Sequence, residues 1–210
     1  MKPAFLIAFF FGWIPFCLLA QDADSGYRNK YVFALIPSAA DNIYGIAFGP
    51  IGSETICDPA NTKHSHGLNL QIFGNGIFQA FLIGKEKFSD LVPVSDTMRI
   101  STVHNGLLIS PFGTRTSVIN GISISGWMSS SRRMNGISID PLWNRCSQVK
   151  GLAIAAVNEA VSLRGVQLGI MNRCRESAGI QIGLWNRNEK RALPFFNWNF
   201  TGAPALAGRN

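Results

Sequence analysis

The chain has 210 residues, of which 47% are hydrophobic and only 15% charged, with 21 glycines and a formal charge of +7. That length suits one domain or at most two small ones, and abundant glycine without a three-residue period or low complexity excludes a collagen-like or disordered chain. The positive charge would suit nucleic acid or anionic lipid, and the amino-terminal segment decides between them.

After Met1, Lys2 and Pro3, residues 4–20 (AFLIAFFFGWIPFCLLA) carry no charge. One basic residue, a long apolar run and the small Ala20 read as a secretory signal over 1–20, which leaves a single domain over 21–210. Leu18 occupies a position where a small residue is preferred. A retained anchor is the alternative, but Gly12 and Pro15 interrupt a run already shorter than a span of about 20 residues. Cys17 would suit a lipoprotein signal, were Phe16 not bulky. Export makes nucleic acid an improbable partner and points the charge towards outer-membrane lipid or lipopolysaccharide. From residue 130 onward, eleven Lys or Arg face only Asp140, Glu159, Glu176 and Glu189. Basic turns that are merely solvated would look the same. No later apolar run is long enough for a helical span, so further membrane insertion would be by strands.

From Gly106 the chain divides at successive glycines: Gly106, Gly121, Gly136, Gly151, Gly165 and Gly179, spaced by 15, 15, 15, 14 and 14 residues. The clearest repeats span 105–200, with degenerate copies at 41–50 and 66–76. In GIQIGLWN, Ile180, Ile182 and Leu184 alternate with Gln181, Gly183 and Trp185, the pattern of a strand with one apolar face. Burying the branched set would stabilise each strand by roughly 5 kcal/mol before entropy. Asn144, Asn158, Asn172 and Asn186 are expected at strand ends, where they enter polar turns such as RCRES and RNEK.

The fold class expected is all-β, built from strand–turn units of 14 or 15 residues. An antiparallel meander closing into a β-barrel is favoured, because RCRES and RNEKR are poor strand material. The alternative is a parallel β-solenoid in which the Asn residues stack as a ladder. Cys146 and Cys174 hold one phase with a repeat between them, so they should lie about 10 Å apart, beyond disulfide reach. With Cys57 the exported chain carries an odd number of cysteines, and no structural disulfide is expected.

GVQLGIMN and GIQIGLWN, followed by NEKRALPFFNWNF, resemble the exported bacterial "surface repeat" family of spirochaetes and Bacteroidetes, whose units read roughly G-(L/V/I)-Q-(I/L)-G-(L/I)-x-N. The resemblance covers residues 41–200 and implies export and an outer-membrane or cell-surface location, without an activity to carry over. The strand LPFFNWNF (193–200) also resembles the closing strand of outer-membrane barrels, although TGAPALAGRN follows Phe200.

No catalytic, cofactor-binding or metal-ligating residue is expected. His64 and His66 share a strand face near Cys57 but lack a fourth ligand. His104 reads as an isolated surface residue. Ser129, Ser130 and Ser131 read as a turn beside Arg132 and Arg133, with no base to activate them. An enzyme would have to use the irregular segments 52–66 and 84–104. Trp127, Trp143, Trp185 and Trp198, with Phe112, Phe195 and Phe196, would form an interfacial girdle in a barrel; end-of-coil packing and carbohydrate stacking are the other readings. The expected role is structural, barrier or transport, at the outer membrane or cell surface. The alternative is a soluble or peripheral, adhesin-like solenoid.

Overall fold

The computed structural model describes residues 28–52, 62–74 and 102–200; the signal segment, Cys57 and the tail after Phe200 lie outside them. Among the described residues there is no helix. Eight strands follow one another: β1 (Asn29–Leu35), β2 (Asn42–Gly49), β3 (Lys63–Gln71), β4 (Thr102–Ser110), β5 (Arg115–Ser125), β6 (Met128–Leu168), β7 (Met171–Arg187) and β8 (Ala192–Asn199). They form one sheet in sequence order.

The pairing corrects the meander and the barrel. Every pair from β1–β2 to β6–β7 is parallel; only β7–β8 is antiparallel. The sheet is open, and its register agrees with the solenoid alternative. Gly45, Gly67, Gly106, Gly121 and Gly136 are successive partners, as are Gly165 and Gly179. A straight strand as long as the 41-residue β6 would run about 135 Å, yet β6 folds back past itself. A Cβ on Gly151 would lie 2.0 Å from the carbonyl oxygen of Gly136, and one on Gly165 2.0 Å from that of Gly151. β6 therefore contributes three rows, and the sheet has ten.

RCRES, expected to be a turn, is strand, whereas RNEK runs from the end of β7 into the turn before β8, as expected. In RCRES, Arg173 and Arg175 face out while Cys174 is buried opposite Ala160. Ser129, Ser130 and Ser131 are likewise buried within β6, and the Ser131 hydroxyl donates to Cys146 Sγ at 3.2 Å. Charged residues can line a strand when only alternate positions need to face inward.

The interior holds Leu108, Ile119, Met134, Val149 and Leu163 with Cys146, Ala153, Ala160 and Cys174. A second cluster joins Ala34, Ile36, Ala40, Ile43 and Ala47 near the amino-terminal rows. Cys146 and Cys174 are free thiols. Burial pushes Cys146 up to about 11 and Cys174 up to about 12, so both stay protonated.

The two ends are irregular. In β1, Val32 stands in the glycine column at φ 71°. At the other end β8 carries Pro194 and Phe195 (φ 63°), and its pairing with β7 slips between Gly183 and Asn186.

Gly136 has φ +135°, a region closed to L side chains, and a Cβ there would lie 2.0 Å from the carbonyl oxygen of Gly121. Gly136→Ala should therefore cost at least about 2 kcal/mol, read as a lower urea midpoint. Iodoacetamide should leave Cys146 and Cys174 unmodified in the native protein and label both in denaturant, by peptide mapping; rapid native labelling would contradict their burial.

Candidate functional site: an exposed apolar sheet face

Position along each row decides which way a side chain points. Two residues after the column glycine, Ser123, Ser138, Gln167 and Gln181 are buried. One and three residues after it, Ile122, Ile124, Ile137 and Ile139 stand 36–41% exposed. This reverses the expectation for GIQIGLWN, because Gln181 is fully buried while Ile182 and Leu184 are exposed.

The buried amides are stable inside because each bonds its counterpart in the next row. Asn158 Nδ2 donates to Asn172 Oδ1 at 2.9 Å, and Asn172 Nδ2 to Asn186 Oδ1 at 2.7 Å. Gln181 Nε2 donates to Gln167 Oε1 at 2.9 Å. On the outer side, half-buried Asn105, Asn120 and Asn135 form a third ladder at 2.7 Å per step. An amide carries both a donor and an acceptor, so identical residues at one phase satisfy one another along the stack. Asn158 and Asn172 are thus buried within strands rather than at strand ends, whereas the buried Asn186 stands at the end of β7, ahead of the turn to β8. Asn144 departs from the ladder, donating instead to Ser138 Oγ at 2.6 Å and Asp140 Oδ2 at 2.8 Å.

Outside, the apolar side chains line up through the register. Phe33, Ile46, Leu68, Leu107, Ile122 and Ile137 form one column, and Leu35, Phe48, Leu70, Ile109 and Ile124 begin a second. Leu152 and Ile154 hold the same phases in β6, followed by Val166 opposite Ile180 and Leu168 opposite Ile182. β8 extends both columns with Trp198 and Phe196, opposite Ile180 and Ile182. No charged residue falls in either column. Further along the rows, Phe73 stacks on Phe112 at 6.1 Å, and Trp127, Leu142, Ile170 and Trp185 are exposed. Ten rows spaced by about 4.8 Å run roughly 43 Å, and the apolar width gives an area on the order of 800 Å². A soluble monomer rarely shows an apolar patch above roughly 600 Å².

In the later rows both borders of this face carry basic residues. Beside the glycine column, Lys150 and Arg164 are exposed at the phase held by Asn120 and Asn135 in earlier rows. Beyond the buried Asn ladder, Arg145 and Arg173 flank Glu159 at 3.9 and 3.7 Å, and Arg187 follows in the next row.

Comparison of the sequence with family models and curated proteins, and of the structure with solved structures, finds no match.

The chemistry considered from sequence is placed as follows. His64 and His66 are brought together, their rings stacked at 6.1 Å, with His66 also against Tyr44 at 4.8 Å. Burial, then the neighbouring His66, lowers the His64 pKa. No group of three metal-ligating side chains occurs among the described residues. His104 is buried rather than on the surface, with Nδ1 3.2 Å from Asn69 Nδ2. It shares a small recess with Lys63, whose ammonium donates to the Ser38 carbonyl at 2.8 Å. Most of 52–66 and 84–104 lies outside the described residues; the ends of both belong to β3 and β4. The outward apolar columns were visible in the sequence as alternation, but ordinary hydrophobic bookkeeping assigned them to the core.

One interior charge stands apart. Asp140 is fully buried where earlier rows carry Ser110 and Ser125. Ser125, Ser138 and Asn144 donate to its carboxylate. Desolvation nevertheless dominates and raises its pKa above the ordinary 3.8. The folded protein therefore binds the proton more tightly than the unfolded chain does. The contribution from Asp140 is fully present below pH 3.8 and is lost as pH rises through the raised folded value. Asp140→Asn should remove that decline and leave the protein as stable as the parent, or more so, at pH 7; urea titrations from pH 4 to pH 8 measure it.

Proposed function

We propose that the chain is an exported bacterial surface-repeat protein whose stacked rows form a β-solenoid, held peripherally at the outer membrane or cell surface. Its role there is structural, and it carries no catalytic activity. The apolar face is the observation that supports this reading: so large an uncharged surface is a place of attachment, and the row-by-row register suits a protein that binds along its side. The apolar segment at residues 4–20 and the G-x-Q-x-G-x-x-N units support export and surface location. A second feature favours attachment: the apolar columns are free of charge, and basic residues stand at other outward positions of β6 and β7.

Cell fractionation tests the proposal. The protein should sediment with the outer membrane, leave it on alkaline carbonate washing as a peripheral protein does, and run at one apparent size boiled or unboiled. Recovery in the soluble periplasmic fraction at low salt would overturn the surface assignment, and heat-modifiable mobility would overturn the open solenoid.

A further inference from the structure

We infer that the occupant of the apolar face is an anionic lipid leaflet, with the rows lying flat on the bilayer and the two basic borders holding headgroup phosphates. The inference rests on the surface-attachment reading and adds the chemistry of the partner and the orientation of the protein.

Three observations carry it. First, the face runs through all ten rows without a charged side chain in its two columns, so nothing in it resists contact with acyl chains. Its backbone groups are already bonded between rows, which removes the usual penalty of bringing a sheet near hydrocarbon. Second, cations stand at both edges of the later rows: Lys150 and Arg164 beside the glycine column, and Arg145, Arg173 and Arg187 beyond the Asn ladder, where Arg145 and Arg173 flank the nearly buried Glu159. That pairing of an apolar face with basic flanks is the logic by which amphipathic elements lie in a membrane interface, here built from strands. Long basic side chains at such borders reach phosphates while their stems cover apolar surface. Third, Trp127 and Trp185 sit exposed where the apolar face meets the arginine border, the level that indole rings prefer at a membrane.

A second copy of the chain could cover the same columns. The charge argues against it, since two exported molecules, each +7 less Lys2 and so +6, repel, whereas the same charge draws the protein to an anionic leaflet.

The test uses the protein isolated without detergent from cells that export it. It is mixed with vesicles of phosphatidylcholine alone or of phosphatidylcholine containing phosphatidylglycerol, and its bound fraction is read by flotation. Binding to the anionic vesicles should exceed binding to the neutral ones. Tryptophan emission should be quenched by bromine-labelled acyl chains. Lys150→Gln with Arg164→Gln should weaken anionic binding roughly thirtyfold while circular dichroism stays unchanged. Ile139→Asn, at an exposed position, should abolish acyl-chain quenching without unfolding the protein.

A folded protein that binds neither vesicle overturns the lipid assignment. If that protein is a dimer by light scattering and Ile139→Asn returns it to monomer, the occupant is a second copy. Either result leaves the cellular location to the fractionation experiment. Binding that ignores the bilayer's charge and is unchanged in the Lys150, Arg164 variant overturns the role of the basic border.

Discussion

Everything in this fold depends on how closely one row can approach the next at the glycine column. At Gly106, Gly121, Gly136, Gly151, Gly165 and Gly179 a Cβ would lie 2.0–2.2 Å from the carbonyl oxygen of the preceding column glycine. No side chain fits there, and no other residue readily adopts the positive φ that five of these six show. The spacing of 15, then 14, residues follows from returning the chain to that point on every pass. Because the glycines stay in register, so does everything at a fixed distance from them. Identical amides meet identical amides, and isoleucines meet isoleucines.

That registration explains why Gln167, Gln181 and the Asn ladder can be buried while neighbouring isoleucines stand outside, against the usual preference. Burying Gln167 or Asn172 without a partner would cost a few kcal/mol; bonded to Gln181 and Asn186 in the next row, they incur little of it. While Leu108, Ile119, Met134, Val149 and Leu163 fill the apolar part of the interior, the branched residues one and three places after the column glycine point outward. Outside, they cover one another along their columns and are still left part-exposed. The sheet is thereby amphipathic as a whole body, with a charge-free apolar side and cations at its margins.

The sequence made the period, the glycine phase and the alternation of each row legible, and the registered glycines Gly45 and Gly67 extend the pattern to the early rows. Strand direction was misjudged because RCRES looks like a turn when scored by composition, as RNEK does where it leads from β7 into the bend before the antiparallel β8. The alternation within RCRES, Arg173 and Arg175 outward with Cys174 inward, was the available signal. The buried side was misjudged for a different reason. Hydrophobicity is a property of one residue, whereas the ladders of Asn158, Asn172 and Asn186 are a property of the stack, invisible until the rows are known to be parallel. His104 was misplaced likewise: its partner Asn69 is 35 positions away and adjoins it only through the pairing of β3 with β4.

Val32 shows what limits such a stack. It occupies the glycine column in the first described row, and its carbonyl oxygen lies 2.5 Å from where a Cβ on Gly45 would be. Another row laid beneath it in the same register would drive its own carbonyl into the valine side chain. At the opposite end β8 runs backwards, slips register and offers Pro194, which has no amide hydrogen to donate. A ladder of this kind is the geometry that fibres use to recruit further strands without end. Among the described rows, a branched side chain at one end and a reversed, proline-bearing strand at the other break the register that a fibre would have to continue.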